Sequence, residues 1–224
     1  PVTEADRRAE AVILKRLAAL LPDVPVLAEE SFEAGVRPEV SDRFLLVDPV
    51  DGTKEFIKKN GEFTVNIALI EDGVPTAGCV YAPALERIFI GGETALAGPA
   101  RPGANLDEGA LSPIQVRTPP EAGKTAVMSR SHADDTTKAF AEGQGVTEAI
   151  SAGSSLKFCK VAEGAADLYP RFAPTMEWDT GAGHAVLAAA GGRVTNPDGT
   201  PFRYAKTEAG YKNGPFIAWG YEPA

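Results

Sequence analysis

Asp48-Pro49-Val50-Asp51-Gly52-Thr53 constrains this chain more than any other stretch, because it sets two carboxylates on a stiff turn directly after the apolar run Phe44-Leu45-Leu46-Val47. A short apolar run bounded by a turn signal reads as a buried strand. Pro49 fixes its own φ and has no N–H to donate, and Gly52 permits tight backbone geometry, so the carbonyl of Val50 is free to point the same way as the carboxylates of Asp48 and Asp51. Three hard oxygen donors then converge. Such a set suits Mg²⁺, which is held by a few carboxylates plus water and substrate phosphate. Taken alone, the hexapeptide reads equally well as a solvated Asp-Pro turn. A calcium EF-hand is excluded, since Val50 occupies a position where that loop needs Asp or Asn and Gly52 arrives one residue early.

Two further acidic features stand where strands end or helices begin: Glu29-Glu30 after the apolar run Val24 to Ala28, and Asp179 within Glu177-Trp178-Asp179-Thr180-Gly181. The net charge of −9 argues against a nucleic-acid polymer as ligand, because a duplex binder needs a basic face. An acidic protein still takes a small phosphate ester if metal ions supply the positive charge locally. The 224 residues, 44% of them hydrophobic, suffice for one large domain or two intimate ones. No run approaches the roughly 18 apolar residues of a membrane span. Cys79 and Cys159 read as small buried hydrophobes, which points to a reducing compartment.

Along the chain, Thr3 and Asp6 resemble a capping box ahead of a helix from about Glu4 to Leu20, with Ala9, Val12, Ile13, Leu17 and Leu20 at helical spacing. Strands are predicted at Phe44 to Val47, Phe63 to Glu71, Val74 to Tyr81 and Arg87 to Gly91, with Asp72-Gly73 as a hairpin turn, giving an antiparallel meander. Gly92 to Pro113 reads as a surface excursion leading to a strand at Ile114 to Arg117. Thr118 to Gly123 is the best boundary, dividing the chain into parts 1–120 and 121–224. Beyond it, strands (Thr125 to Ser129, Val146 to Ser151, Ala166 to Tyr169, Phe216 to Tyr221) alternate with helices (about Ala133 to Glu142, Ser154 to Glu163, Thr180 to Ala190), the pattern of an α/β layer.

Glu29-Glu30-Ser31, the Asp48 to Thr53 turn, and Trp178-Asp179-Thr180-Gly181-Ala182-Gly183 ending at Gly191-Gly192, in this order and separation, resemble the signature set of the lithium-sensitive, magnesium-dependent inositol monophosphatase superfamily. Gly52 through Ile57, Asn60 through Leu69, Ser129-Arg130-Ser131-His132 and Gly153 through Phe158 are similar to its CysQ-type 3′(2′),5′-bisphosphate nucleotidases. The resemblance implies the five-layered αβαβα sandwich of the sugar phosphatases. It also implies a preceding helix of a few dozen residues, since the chain opens on Pro1 inside a motif.

By the same resemblance, Glu29, Asp48, Asp51, Asp179 and the Val50 carbonyl would hold two or three Mg²⁺ ions. Asp6, or Glu29 by way of a bound water, would take the proton; Asp6 is assigned as base with Thr53 relaying. On its residues alone, Thr53 reads either as the N-cap of a short helix over Lys54 to Lys58 or as the hydroxyl that orients water, and Asp179 also as a first-turn helix acid. Gly52 and Thr53 would offer N–H groups to the phosphate. Ser129, Gly153 and Ser154 would add donors, while His132, Lys157 and Arg171 would surround the nucleoside and its 5′-phosphate, with Asp179 also at the substrate. Lys58, Lys59 and Glu62 read as solvated loop residues, and His184 is given no role. The implied activity removes the 3′-phosphate of adenosine 3′,5′-bisphosphate, with the sulfated nucleotide left open as a second substrate. Its rivals are an inositol or sugar phosphatase and a non-catalytic phosphate sensor. The partner is thus a small phosphorylated nucleotide in the cytoplasm, with peripheral attachment to the inner membrane and the choice between monomer and homodimer left open.

Overall fold

The computed structural model describes residues 3–128 and 134–223. The first half runs α1 (Glu4–Leu20), β1 (Val26–Ala28), α2 (Glu29–Glu33), β2 (Arg43–Asp51), α3 (Thr53–Ile57), β3 (Thr64–Glu71), β4 (Val74–Ala82), β5 (Arg87–Gly91), β6 (Ala95–Pro99) and β7 (Ser112–Pro113). The second runs β8 (Lys124–Met128), α4 (Asp135–Gly143), β9 (Val146–Ser151), α5 (Leu156–Ala162), β10 (Leu168–Arg171), β11 (Thr175–Met176), α6 (Glu177–Ala189), β12 (Arg193–Thr195), β13 (Lys212–Asn213) and β14 (Phe216–Trp219).

A 7-stranded sheet in the order β1 to β7 and a 5-stranded sheet in the order β12-β14-β10-β8-β9 carry the architecture. The continuous apolar run of β2 is explained by burial on both faces. Leu45 and Val47 pack with Leu17, Ile13 and Leu14 of α1, while Phe44 and Leu46 join the main core on the opposite side. That main core holds residues of both sheets together with Phe158 of α5 and Val186 and Leu187 of α6. Helices α5 and α6 therefore lie between the sheets, and α4 covers the far face of the second sheet through Phe140 and Ala141. The layers run helix, sheet, helix, sheet, helix, as the resemblance implied. In β4 and β5 the close approach of α6 requires glycine: a Cβ on Gly78 would stand 2.7 Å from the Ala182 carbonyl and one on Gly91 2.5 Å from that of Ala185.

Several predicted elements need correction. Residues 92–113 are not all excursion, because Ala95–Pro99 pairs antiparallel with β5, and its alternate small residues Ala95 and Ala97 are buried. Small residues fill a tight interior without any apolar pattern to announce them. Ile114 to Arg117 forms no strand: the N–H of Ile114 goes to the Ala95 carbonyl and that of Val116 to Ala190, two different elements. Helix α6 opens at Glu177, three residues ahead of the predicted start, with the Met176 N–H donating to the Asp179 carboxylate at 2.7 Å. The short strands β1, β7, β11, β12 and β13 carry too few residues for a period-2 signal.

Candidate active site

Along a strand, residues three apart face opposite sides of the sheet, so Asp48 and Asp51 would diverge if β2 were regular. It is not. Asp48 pairs with Asn66 and Asp51 with Thr64, three steps along β2 against two along β3, so one extra residue is bulged out. The bulge restores parity and turns both carboxylates inward. Pro49 supplies the break, having no N–H for the ladder, and the N–H of Val50 donates to the Asp48 carboxylate at 3.0 Å.

Asp51 is held by Asn66 Nδ2 at 3.2 Å, Ser155 Oγ at 3.0 Å and Thr64 Oγ1 at 3.5 Å. Ser155 Oγ also stands 2.9 Å from the carbonyl of Asp179, which ties the opening of α5 to that of α6. Neither Asn66 nor Ser155 was given a role from sequence. The signal was there for Asn66, a polar residue at an inward position of an alternating strand, next in line to Ala68 and Ile70.

The ligand oxygens of Asp48, Asp51 and Asp179 lie within 4.8 Å of one another. Burial pushes Glu29 up to about 8, with the charges of Asp179, Asp51 and Glu30 adding to it against a hydrogen bond to Asp48. Asp179 is pushed up to about 7 by burial and then by the Asp51 charge. Asp48 rises well above the ordinary carboxylate range and Asp51 rises too, burial leading in both. Glu29 and Asp48 can hydrogen-bond each other only by sharing a proton. A shared proton marks where positive charge is wanted, and a set made only of carboxylate and carbonyl oxygens fits Mg²⁺.

Glu29, Asp51 and Asp179 line a cleft of about 670 Å³ together with Gly52, Thr53, Gly153, Ser154, Lys157 and Arg171. Lys157 is buried and brought down to about 8, by burial first and against the pull of Asp51. Its ammonium donates to the carbonyls of Ser154 at 2.8 Å and Ala152 at 3.4 Å. Arg171 donates Nε–H to the Ala173 carbonyl at 3.2 Å. The Ser154 hydroxyl lies 2.7 Å from the carbonyl of Asp51 and 2.8 Å from that of Glu62, so its proton is already engaged. Gly52 has φ +87, and a Cβ there would fall 2.1 Å from Ser154 Oγ. Glu62 and Lys58 also line the cleft.

Gly52, not Thr53, is the N-cap of α3, which corrects the first reading of Thr53. The Thr53 hydroxyl lies 3.3 Å from both Asp6 Oδ1 and the Val50 carbonyl, and its one proton serves one of them at a time. Asp6 is buried, and the capping box with Thr3 is formed as predicted, its other oxygen taking the Thr3 N–H at 2.8 Å. Sequence reasoning missed Glu10, one turn further along α1, although the i, i+4 spacing from Asp6 was legible. His184 is buried against Tyr204, its Nδ1 3.1 Å from the phenol, and burial brings it down to about 3. Ser129 and His132 lie outside the described residues.

The inositol monophosphatase family model matches residues 1–220. The chain belongs to the inositol monophosphatase family. Within the family it is 49% identical over 213 residues to the 3′(2′),5′-bisphosphate nucleotidase CysQ of Salmonella typhimurium, covering 93% of this chain and 81% of that protein. Among solved structures, CysQ from Bacteroides thetaiotaomicron, a bacterial member of the family, superposes with a TM-score of 0.81 at 38% identity, over 97% of this chain and 84% of that one. The inositol monophosphatase from Anabaena sp. PCC 7120 gives 0.76 at 27% identity, over 98% and 82%. Among the described residues no helix is long and apolar enough to cross a membrane.

Proposed function

We propose that this protein hydrolyses the 3′-phosphate of adenosine 3′,5′-bisphosphate, with water, to AMP and inorganic phosphate. The observation that carries the reading is that one cleft is lined both by the acids Glu29, Asp51 and Asp179 and by the cations Lys157 and Arg171. A substrate with two phosphates has a use for both sets, one ester for metal held by the acids and the other for the fixed cations. The likeness to bisphosphate nucleotidases supports the same choice.

Glu29, Asp48, Asp51, Asp179 and the Val50 carbonyl offer enough oxygens for two or three Mg²⁺ ions. Held by these residues, Mg²⁺ would supply positive charge to the phosphoryl group and lower the pKa of a bound water. Asp6 draws the proton of Thr53 toward itself, which leaves the Thr53 oxygen as acceptor for the attacking water and gives that water's proton a route to a carboxylate. Gly52 and Thr53 line the cleft, where their N–H groups would face the phosphate. Lys157 and Arg171 are the cations for the 5′-phosphate and nucleoside, with Gly153 and Ser154 beside them in the cleft; by the family resemblance His132 would join the cations and Ser129 would add a donor. Two free thiols, Cys79 and Cys159, and a soluble nucleotide substrate fit a cytoplasmic setting.

The test is substrate-dependent. Arg171→Ala and Lys157→Ala are expected to lower kcat/KM on the bisphosphate about ten- to a hundredfold, the loss of a charge-assisted contact worth about 1.5 to 3 kcal/mol. Adenosine 3′-monophosphate, which lacks the 5′-phosphate, should fall much less. An unchanged ratio between the two substrates, or faster release of phosphate from inositol 1-phosphate by wild type, would overturn the assignment.

A further inference from the structure

Glu10 is 4% exposed, and its carboxylate is wholly committed to α2. Oε2 accepts the N–H of Glu30 at 2.8 Å, and Oε1 accepts the N–H of Ser31 at 2.8 Å and the Ser31 hydroxyl at 2.5 Å. Helix α2 needs this help. It is 5 residues long, too short to sustain itself, and its N-cap, Ala28, makes no side-chain cap. Its first residue is Glu29. Four residues before Glu10, on the same face of α1, Asp6 meets the Thr53 hydroxyl at 3.3 Å. One rigid helix therefore sets two parts of the site relative to each other.

We propose that Glu10 is a positioning residue: by capping α2 from α1 it fixes the Glu29 carboxylate against Asp48 and so sets the affinity of the acidic cluster for divalent metal. Glu10 does not line the cleft, and its bonds go to Glu30 and Ser31, the two residues that follow Glu29 in α2, so it reaches the cluster through the seating of that helix. A carboxylate is required rather than an amide. Three donors converge on two oxygens, and the NH₂ of glutamine would meet donors on either side. Groups that orient metal ligands from behind typically change metal affinity about ten- to a hundredfold when replaced.

The inference rests on the metal reading of the cluster, and direct binding separates the two. Mn²⁺ is titrated into wild type, E10Q and E10A, with free ion followed by electron paramagnetic resonance; Mg²⁺ activation, substrate KM and Tm are measured alongside. Both variants are expected to raise the Mn²⁺ Kd and the Mg²⁺ activation constant about tenfold. At saturating metal, kcat should recover most of its wild-type value with the KM for the bisphosphate unchanged. A lowered Tm with an unchanged Mn²⁺ Kd would make Glu10 a structural clip and overturn the inference while leaving the metal reading intact. Should E10A fail to fold, the near-isosteric E10Q decides. Wild type that binds no Mn²⁺ would overturn the metal reading itself, and this inference with it.

Discussion

At the residue scale, Asp51 is where the chain's two kinds of information meet. Its type and place after Asp48-Pro49-Val50 were legible in the sequence. Its partners were not, since Asn66 and Ser155 come from β3 and the opening of α5, one of them in the other half of the chain. Asp51→Asn removes a charge while nearly keeping the shape. Turnover is expected to fall at least a hundredfold, on the order of 3 kcal/mol of transition-state stabilisation. Circular dichroism should be unchanged, and the metal-free variant should melt higher than metal-free wild type, because one member of a mutually repelling set has been neutralised. Near-wild-type turnover at saturating Mg²⁺ would remove Asp51 from the metal site. Arg117 and Asp167 make a contrasting pair: they bond bidentately at 2.9 Å and 2.9 Å around Thr125, away from the cleft, and their role is to clip 114–117 to the second sheet.

At the element scale, α6 decides the site. Its first turn carries Asp179, and its body is wedged against β4 and β5 by glycines that admit no side chain. A Cβ on Gly91 would stand 2.5 Å from the Ala185 carbonyl and 2.6 Å from the Val186 backbone, and backbone cannot swing away as a side chain end can. Gly91→Ala is expected to cost about 1 to 3 kcal/mol. For a chain of this size that is a fall in Tm of roughly 3 to 10 °C. Gly92→Ala is the control, with nothing within 4 Å of its Cβ, and should melt as wild type does. Equal melting temperatures for the two variants would mean that the helix is not seated as described. The sequence displayed α6 as an apolar, glycine-rich helix, but its start was displaced because Glu177 and Trp178, fully buried, carry no amphipathic signal.

For the whole molecule, the acidic cluster makes stability depend on metal and pH together. Glu29 goes from 4.5 to about 8 on folding. Asp179 goes from 3.8 to about 7. The metal-free folded chain therefore keeps protons that the unfolded chain has lost, and its stability falls as pH rises through this range. His184 works the other way, from 6.5 down to about 3, so its contribution is complete above 6.5 and is lost as pH falls below it. Lys157, from 10.5 down to about 8, adds stability only as pH rises above 8. The clean window is thus about pH 6.5 to 8. In a chelating buffer, Tm should fall across that window, and Mg²⁺ should raise it more at the upper end, because cations bind the ionised cluster. Scanning calorimetry at several pH values checks this, and a Mg²⁺ increment independent of pH would contradict it. With one core spanning both sheets, the proposed parts 1–120 and 121–224 should melt in a single transition.

The sequence by itself determined the types of residue and most of the elements: the both-face-buried strand before Asp48, the hairpin at Asp72-Gly73, the capped α1, the alternating second half, and the acids at strand ends and helix starts. These are local facts, written in hydrophobic period and turn chemistry over a few neighbouring residues. Only the tertiary structure decided that Asp48 and Asp51 share a face, because the bulge that restores parity is defined by the register against β3. Likewise, α1 reaches Thr53 and α2 with Asp6 and Glu10 only through packing. Ser155 reaches Asp51 across 104 residues of sequence. Hydrogen bonds between distant segments leave no period to read, so the chemistry of the site was visible in the chain and its geometry was not.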